Sequence, residues 1–297
     1  MPSPIADTDL ERMLLIRRFE RGLLAAFDRG TLSGTTHTCL GQEYVPVALS
    51  SLLRDDDFVL SNHRGHGHYL ARFDDPGGLL AEIMGRKGAV CAGVGGSQHI
   101  HRGTYLSTGV QGESLPVAVG IGLHLRRKGR GDLVLAHIGD GTWGEGSVYE
   151  ALNMASLWKL PVVVAVEHNE IAQTTPTALQ LAGTIEARAR AFDLAYVRIQ
   201  GHDVAQIRVA LQEPMRAARA GAPLVVEFET TRLGPHSKGD DTRPESQVAA
   251  ARARDWLPAY AAAFPDQLAR LDVAVAARID ATFADVESRP QSTWERT

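Results

Sequence analysis

The stretch "IGDGTWGEGS", residues 138–147, decides how the chain is read. It follows the apolar run 132–137 (DLVLAH) and leads into a helix-like stretch over 145–158. An aspartate between two glycines at a strand end serves a tight turn, for which glycines suffice, or a metal or phosphate site, which needs the carboxylate too. About thirty residues on, Asn169 follows the next apolar run, whose core Val162–Val166 has no polar alternation. That is expected of a strand covered on both faces. A right-handed strand–helix–strand crossover puts Asp140 and Asn169 at the carboxyl edge of neighbouring or near-neighbouring strands. Open α/β sheets bind their ligands at that edge. A carboxylate and an amide oxygen there form a hard-oxygen pair suited to Mg²⁺, which keeps part of its shell for water and phosphate oxygens. Gly141, Gly144 and Gly146 let the backbone approach, and the next helix offers unpaired N–H groups to an anion. The chain contains neither GxxxxGK[ST] nor GxGxxG after a first strand, so a P-loop or a dinucleotide site is not supported.

Outward from this stretch, short apolar segments alternate with helical ones. Strands are predicted over 57–61, 133–137, 162–167, 195–199 and 224–230. Helices are predicted over 42–53, 76–85, 110–127, 145–158, 185–192 and 204–220. This alternation implies an α/β fold with a mostly parallel sheet and helices on both faces. At the start, Thr8 and Glu11 form a capping-box pattern opening an amphipathic helix over 8–29, with Gly30 as its stop. Residues 232–247 (RLGPHSKGDDTRPESQ) read as a long loop, 248–286 as a helical tail, and 288–297 as a loose end. No repeat or convincing linker divides the chain, so a single domain over 1–297 is expected.

With 297 residues, 44% apolar and 22% charged, the chain has the composition of an ordinary globular protein. A net charge of −4 argues against a nucleic-acid surface, which usually carries a basic excess. Cys39 and Cys91 are too few for a disulfide framework, lack zinc spacing, and are read as buried packing in a reducing compartment. The start lacks a signal-peptide pattern and no run suits a membrane span, so a cytoplasmic protein is expected, with neither membrane nor nucleic acid as partner.

A GDG followed by an asparagine at a strand end resembles the thiamine diphosphate motif. Residues 139–176, "GDGTWGEGSVYEALNMASLWKLPVVVAVEHNEIAQTTP", resemble the alpha subunit of the decarboxylating component of 2-oxoacid dehydrogenase complexes, of pyruvate, branched-chain and acetoin types. Four further stretches fit in order: 17–43 (RRFERGLLAAFDRGTLSGTTHTCLGQE), 61–71 (SNHRGHGHYLA), 81–101 (AEIMGRKGAVCAGVGGSQHIH) and 225–243 (VVEFETTRLGPHSKGDDTR). The resemblance covers about residues 10–245 and implies the diphosphate-binding (PP-type) domain of the thiamine diphosphate fold. It implies that Asp140 and Asn169 bind Mg²⁺ by their side chains and Ile171 by its carbonyl. Arg64 and Arg232 would hold the diphosphate, a task suited to a guanidinium fork. His63, Gly139, Gly141 and Thr142 would line the cofactor, and Gly109 and Gln111 would meet its aminopyrimidine. His236, on a mobile loop, and His37 would be the active-site histidines.

The resemblance also implies partners. The glutamate that activates the aminopyrimidine belongs to a separate beta-type subunit, so two alpha and two beta subunits are expected, working with a lipoyl-bearing acyltransferase. The leading expectation is decarboxylation of a 2-oxoacid and transfer of the acyl group to that lipoyl arm. A second reading keeps the cofactor for transketolase-like transfer of a two-carbon unit, from a ketose phosphate or 2-oxoacid, to an acyl carrier protein. A third keeps only the fold, as a scaffold. Departures from the family pattern include His168 for the first of two asparagines, His63 and Thr231 where tyrosine is usual, and Gln111. Ser237 matches a loop phosphorylated in some family members and is read here as a loop residue. His63, His66, His68, His99 and His101 lack zinc spacing, with Arg64 among them, and are read as polar loop residues around an anionic cofactor. Cys39 near His37 is weak as a nucleophile pair, and Gly93–Gly96 reads as a loop packed near the cofactor.

Overall fold

The structure is a computed structural model that describes residues 2–32, 34–237 and 241–293. In chain order the first elements are α1 (Asp7–Asp28), α2 (Tyr44–Ser50), β1 (Phe58–Ser61), α3 (His66–Phe73), α4 (Pro76–Met84), β2 (His101–Arg102) and β3 (Tyr105–Ser107). Next come α5 (Ser114–Lys128), β4 (Val134–Gly139), a 3₁₀ turn over Asp140–Gly144, α6 (Gly146–Leu157), β5 (Val162–His168), β6 (Ile171–Ala172) and β7 (Thr175–Pro176). The remainder is α7 (Ile185–Ala191), β8 (Ala195–Ile199), α8 (Val204–Arg219), β9 (Leu224–Glu229), α9 (Glu245–Ala253), α10 (Trp256–Ala263) and α11 (Pro265–Ser288). These fall into two compact units: residues 1–50, 64–102 and 232–297, and residues 51–63 and 103–231.

The second unit holds the sheet. Six strands of this unit follow the order β3-β1-β4-β5-β9-β8, and every pairing among them is parallel. Alternation along a strand sends Val134, Ala136 and Ile138 of β4 and Val162, Val164 and Val166 of β5 to one face. There they join Leu115, Ala118, Val148, Ala151 and Leu152 of α5 and α6 in one apolar cluster. Leu135, Val163, Ala165, Val226 and Phe228 point the other way and are buried as well. Helix α8 packs on β5, β8 and β9 and buries Ile207, Leu211 and Met215. Both faces of the central strands are therefore covered, which is why Val162–Val166 of β5 is an unbroken apolar run. Buried Asp57 ties the unit's ends together. Its carboxylate accepts from the backbone N–H of Arg54 and Leu133 and forms a two-pronged pair with Arg219 at 2.6 and 2.7 Å.

The first unit is helical and depends on buried carboxylates. Arg17, on α1, is gripped on one edge by Glu43 and on the other by Asp255, and its guanidinium lies 5.4 Å from the Trp256 ring. Glu43 also accepts from Trp256 Nε1 at 3.0 Å and Gly41 N at 3.1 Å, so its lone pairs are used fully. Burial opposes the charge on Arg17, yet the carboxylates of Glu43 and Asp255 outweigh it and raise its pKa above the usual arginine value. Glu82, fully buried on α4, accepts three backbone N–H groups, of Cys91, Gly93 and Gly95, at 2.6–3.0 Å. The glycine loop 93–96 is thus organised by a carboxylate of its own unit. Neither cysteine forms a disulfide. Cys39 is buried and Cys91 is partly exposed, so only Cys39 fits the packing role expected of both.

Several sequence expectations change. Helix α1 begins at Asp7, with Ala6 before it and no side-chain cap, rather than with a box on Thr8. The reason is that Ile5 and Asp7 are already held by Tyr260, Gln267 and Arg270. His66 and His68 lie buried on α3 instead of in a polar loop. The helix expected from 110 starts only at Ser114, because Gly109–Glu113 is taken up in turns. The loop after Arg232 ends in helix α9 at Glu245. The C-terminal segment is pinned: Lys87 N donates to the Pro290 carbonyl and Ser292 N to that of Gly85. Residues 294–297 of that segment lie outside the described residues.

Removing one partner of a buried, fully hydrogen-bonded ion pair strands the other. Glu43→Gln should therefore lower unfolding free energy by about 3 kcal/mol or more, read from chemical denaturation of the full chain.

Candidate active site

In the second unit, strand pairing sets the site. The β4–β5 register places Gly139 opposite Glu167, so the chain leaves both strands at the same edge. Asp140 follows Gly139 directly, and Asn169 follows the last residue of β5. The Asp140 carboxylate is 2% exposed, and its Oδ2 receives a short hydrogen bond from the Thr177 hydroxyl. His168 Nε2 lies 3.7 Å from the same oxygen. Asn169 Oδ1 faces the Ile171 N–H at 3.3 Å. Ile171 itself opens the small β6–β7 hairpin, which returns the chain to Thr177.

Two glycines make this turn workable. A Cβ on Gly141 would stand 2.5 Å from that of Ala172, too close for any side chain. A Cβ on Gly139 would meet nothing within 4 Å, which leaves room beside the aspartate. The donor set is a carboxylate, an amide oxygen and a backbone carbonyl, all hard oxygens. Thr177 and His168 both approach Asp140 at Oδ2. The residues fit a magnesium ion with a diphosphate beside it.

Behind Asp140 stands a charged brace that the motif alone did not reveal. His168 Nδ1 meets Glu227 Oε1 at 2.6 Å, and Tyr196 donates to Glu227 Oε2 at 2.6 Å. The hydrogen bond to Glu227 raises the His168 pKa, with the Asp140 charge adding to it against burial. Burial alone would raise Glu227, but its bonds from His168 and Tyr196 prevail and hold it below the usual carboxylate range. The histidine in place of an asparagine therefore links Glu227 to the Asp140 carboxylate.

A second chain of contacts in this unit explains Gln111. Thr142 Oγ1 donates to Gln111 Oε1 at 2.8 Å, which leaves the amide nitrogen to meet His63 Nδ1 at 2.9 Å and the Gly109 carbonyl at 3.3 Å. A hydroxyl on one side and a carbonyl on the other fix which way the amide points. Gln111, His63, Gly109 and Thr142 are thus brought together.

The first unit gathers a different set. Arg64 donates from Nη1 to the Thr38 carbonyl at 2.7 Å. Its Nη2 meets His236 twice, at Nδ1 (3.2 Å) and at the carbonyl (3.1 Å). A guanidinium only donates, so His236 Nδ1 is an acceptor and this ring carries its proton on Nε2. His37 and His236 lie edge to face with centroids 4.6 Å apart. Buried Arg232 has its carbonyl capped by Arg243, which also donates to the Gly234 carbonyl and pairs with Asp241. The root of the histidine loop is thereby fixed on both sides of residues 238–240, which are outside the described residues. Ser237 lies next to His236 at a partly exposed position.

Sequence reasoning missed Thr177, Glu227, Tyr196 and Arg243. Thr177 is the nearest miss, since it adjoins the quoted motif, but only the hairpin brings its hydroxyl to Asp140. Loss of a group that orients a metal ligand usually weakens metal binding by about 10–100-fold. Thr177→Val should reduce affinity for Mg²⁺ in that range, measured by titration calorimetry, with the circular dichroism spectrum unchanged.

The sequence also matches known proteins. The family model for the dehydrogenase E1 component matches residues 11–295. The pyruvate dehydrogenase E1 component subunit alpha of Rhizobium meliloti is 35% identical over 240 residues, covering 79% of this chain and 69% of that protein. The alpha subunit of acetoin:2,6-dichlorophenolindophenol oxidoreductase is 32% identical in Cupriavidus necator, over 96% of this chain and 90% of that one. Its Bacillus subtilis counterpart is 35% identical over 77% of this chain and 71% of that one. The family match includes residues of both units and every residue of the candidate site, and on these grounds the chain belongs to the dehydrogenase E1 component family.

Proposed function

We propose that this chain is the alpha subunit of a thiamine diphosphate-dependent 2-oxoacid dehydrogenase, decarboxylating a 2-oxoacid and passing the acyl group to a lipoyl-bearing acyltransferase. The observation that carries the reading is Asp140 at the shared edge of β4 and β5, beside Asn169 and the room left by Gly139. Asp140, Asn169 and the Ile171 carbonyl would hold Mg²⁺, and Arg64 and Arg232 the diphosphate. Thiamine diphosphate, when bound, supplies the electron sink for breaking the bond to the substrate carboxylate. His63, Gln111, Gly109, Gly139, Gly141 and Thr142 would shape the cofactor's surroundings. His37 and His236 would orient the substrate and hold or release a proton, as imidazoles can near neutral pH.

The relatives named above are alpha subunits, which supports a beta-type partner for this chain, in an assembly of two alpha and two beta subunits. We place it in the cytoplasm. Among the described residues no helix is long and apolar enough to cross a membrane. The acetoin and pyruvate relatives together support a small substrate with adjacent oxygenated carbons.

The test is reconstitution. The chain alone should show no decarboxylation of any 2-oxoacid with thiamine diphosphate, Mg²⁺ and an artificial electron acceptor. Co-expression with a beta-type subunit should produce turnover in a screen of 2-oxoacids and acetoin. Turnover by the chain alone, or no turnover of any compound by the assembled pair, would contradict the reading.

A further inference from the structure

Gln98 has no part in the roles above, yet it touches one of the two histidines. Its side-chain nitrogen lies 3.1 Å from His37 Nδ1. The segment that carries it is itself anchored from within. Next to it, Ser97 Oγ lies 2.8 Å from His66 Nε2, and His66 Nδ1 lies 3.1 Å from the Glu20 carboxylate. His66 and Glu20 are fully buried, and Glu20 also accepts from the Cys39 N–H at 2.9 Å. A carboxylate only accepts, so His66 donates from Nδ1 to Glu20, while its Nε2 shares a hydrogen bond with the Ser97 hydroxyl. A buried acid on α1 thus fixes the backbone from which Gln98 reaches His37.

We propose that Gln98 is a positioning residue that holds His37 as the neutral imidazole with its proton on Nε2. An amide N–H facing Nδ1 can only donate, so Nδ1 must accept, and the one ring proton is left on Nε2. Protonation of Nδ1 would set two donors against each other. Arg64 imposes the same tautomer on His236, whose ring His37 meets edge to face. Both imidazoles are therefore held in one protonation pattern, by an arginine in one case and an amide in the other. His37 then serves as a hydrogen-bond donor through Nε2 towards an oxygen acceptor, such as a carbonyl or carboxylate oxygen. Only this last consequence rests on the function proposed above.

The test reads the ring directly at one fixed pH. In the full chain labelled with ¹⁵N-histidine, and with the His37 signal assigned through His37→Gln, Nδ1 should be unprotonated and Nε2 protonated. Gln98→Glu replaces the donor by a group that only accepts, and the proton should move to Nδ1. A proton on Nδ1 in the wild-type chain, or an unchanged ring pattern in Gln98→Glu, would overturn the proposal. Should a variant fail to fold, neutron diffraction of the wild-type protein locates the deuterium: on Nε2 it upholds the proposal, and on Nδ1 it overturns it. In the reconstituted complex, Gln98→Glu should lower kcat about tenfold or more while KM stays within about twofold. A moved proton with unchanged kcat would uphold the tautomer assignment and count only against a substrate-facing role for His37.

Discussion

The candidate metal site depends on one constraint, the in-register parallel pairing of β4 with β5. Parallel strands joined by a helix end at the same edge of the sheet, and here the pairing of Gly139 with Glu167 brings the two exits level. A slip by one residue would turn the side chains of one strand to the opposite face of the sheet and part Asp140 from Asn169. The apolar cluster beneath the sheet is thus what aligns two polar residues at its rim. Core and site are set by the same register.

Buried carboxylates do the second part of the work. Asp57, Glu82, Glu43 and Glu20 each accept backbone N–H groups from a loop or turn, and three of the four also face a cation or an imidazole. A charge-assisted bond to backbone is stronger than a neutral one and fixes direction as well. This accounts for ordered loops in segments rich in glycine, such as 88–96, where local propensity alone favours none. Asp140 follows the same logic, with Thr177 and His168 as its partners.

Much of this was legible in the sequence, and the misses share a cause. Strands β4, β5 and β9 were readable because burial on both faces writes a largely apolar run that local rules recognise. Asp140 and Asn169 were readable because each stands immediately after such a run. Helix α3 was not, because its histidines look polar while Glu20, far away in sequence, is what permits His66 to be buried. Thr177 and Glu227 were missed for a similar reason: each reaches the site through a hairpin or a neighbouring strand, and no spacing rule encodes that. The start of α1 was misplaced because Gln267 and Arg270 hold Asp7, which overrides the capping pattern on Thr8.

The central claim is that Asp140 binds the metal that holds the cofactor, and Asp140→Ala tests it most directly. The measurement is Mg²⁺-dependent binding of thiamine diphosphate to the assembled complex by titration calorimetry, with circular dichroism to confirm the fold. The account predicts that binding is lost while the spectrum is unchanged. Retention of wild-type affinity in the folded variant would contradict it.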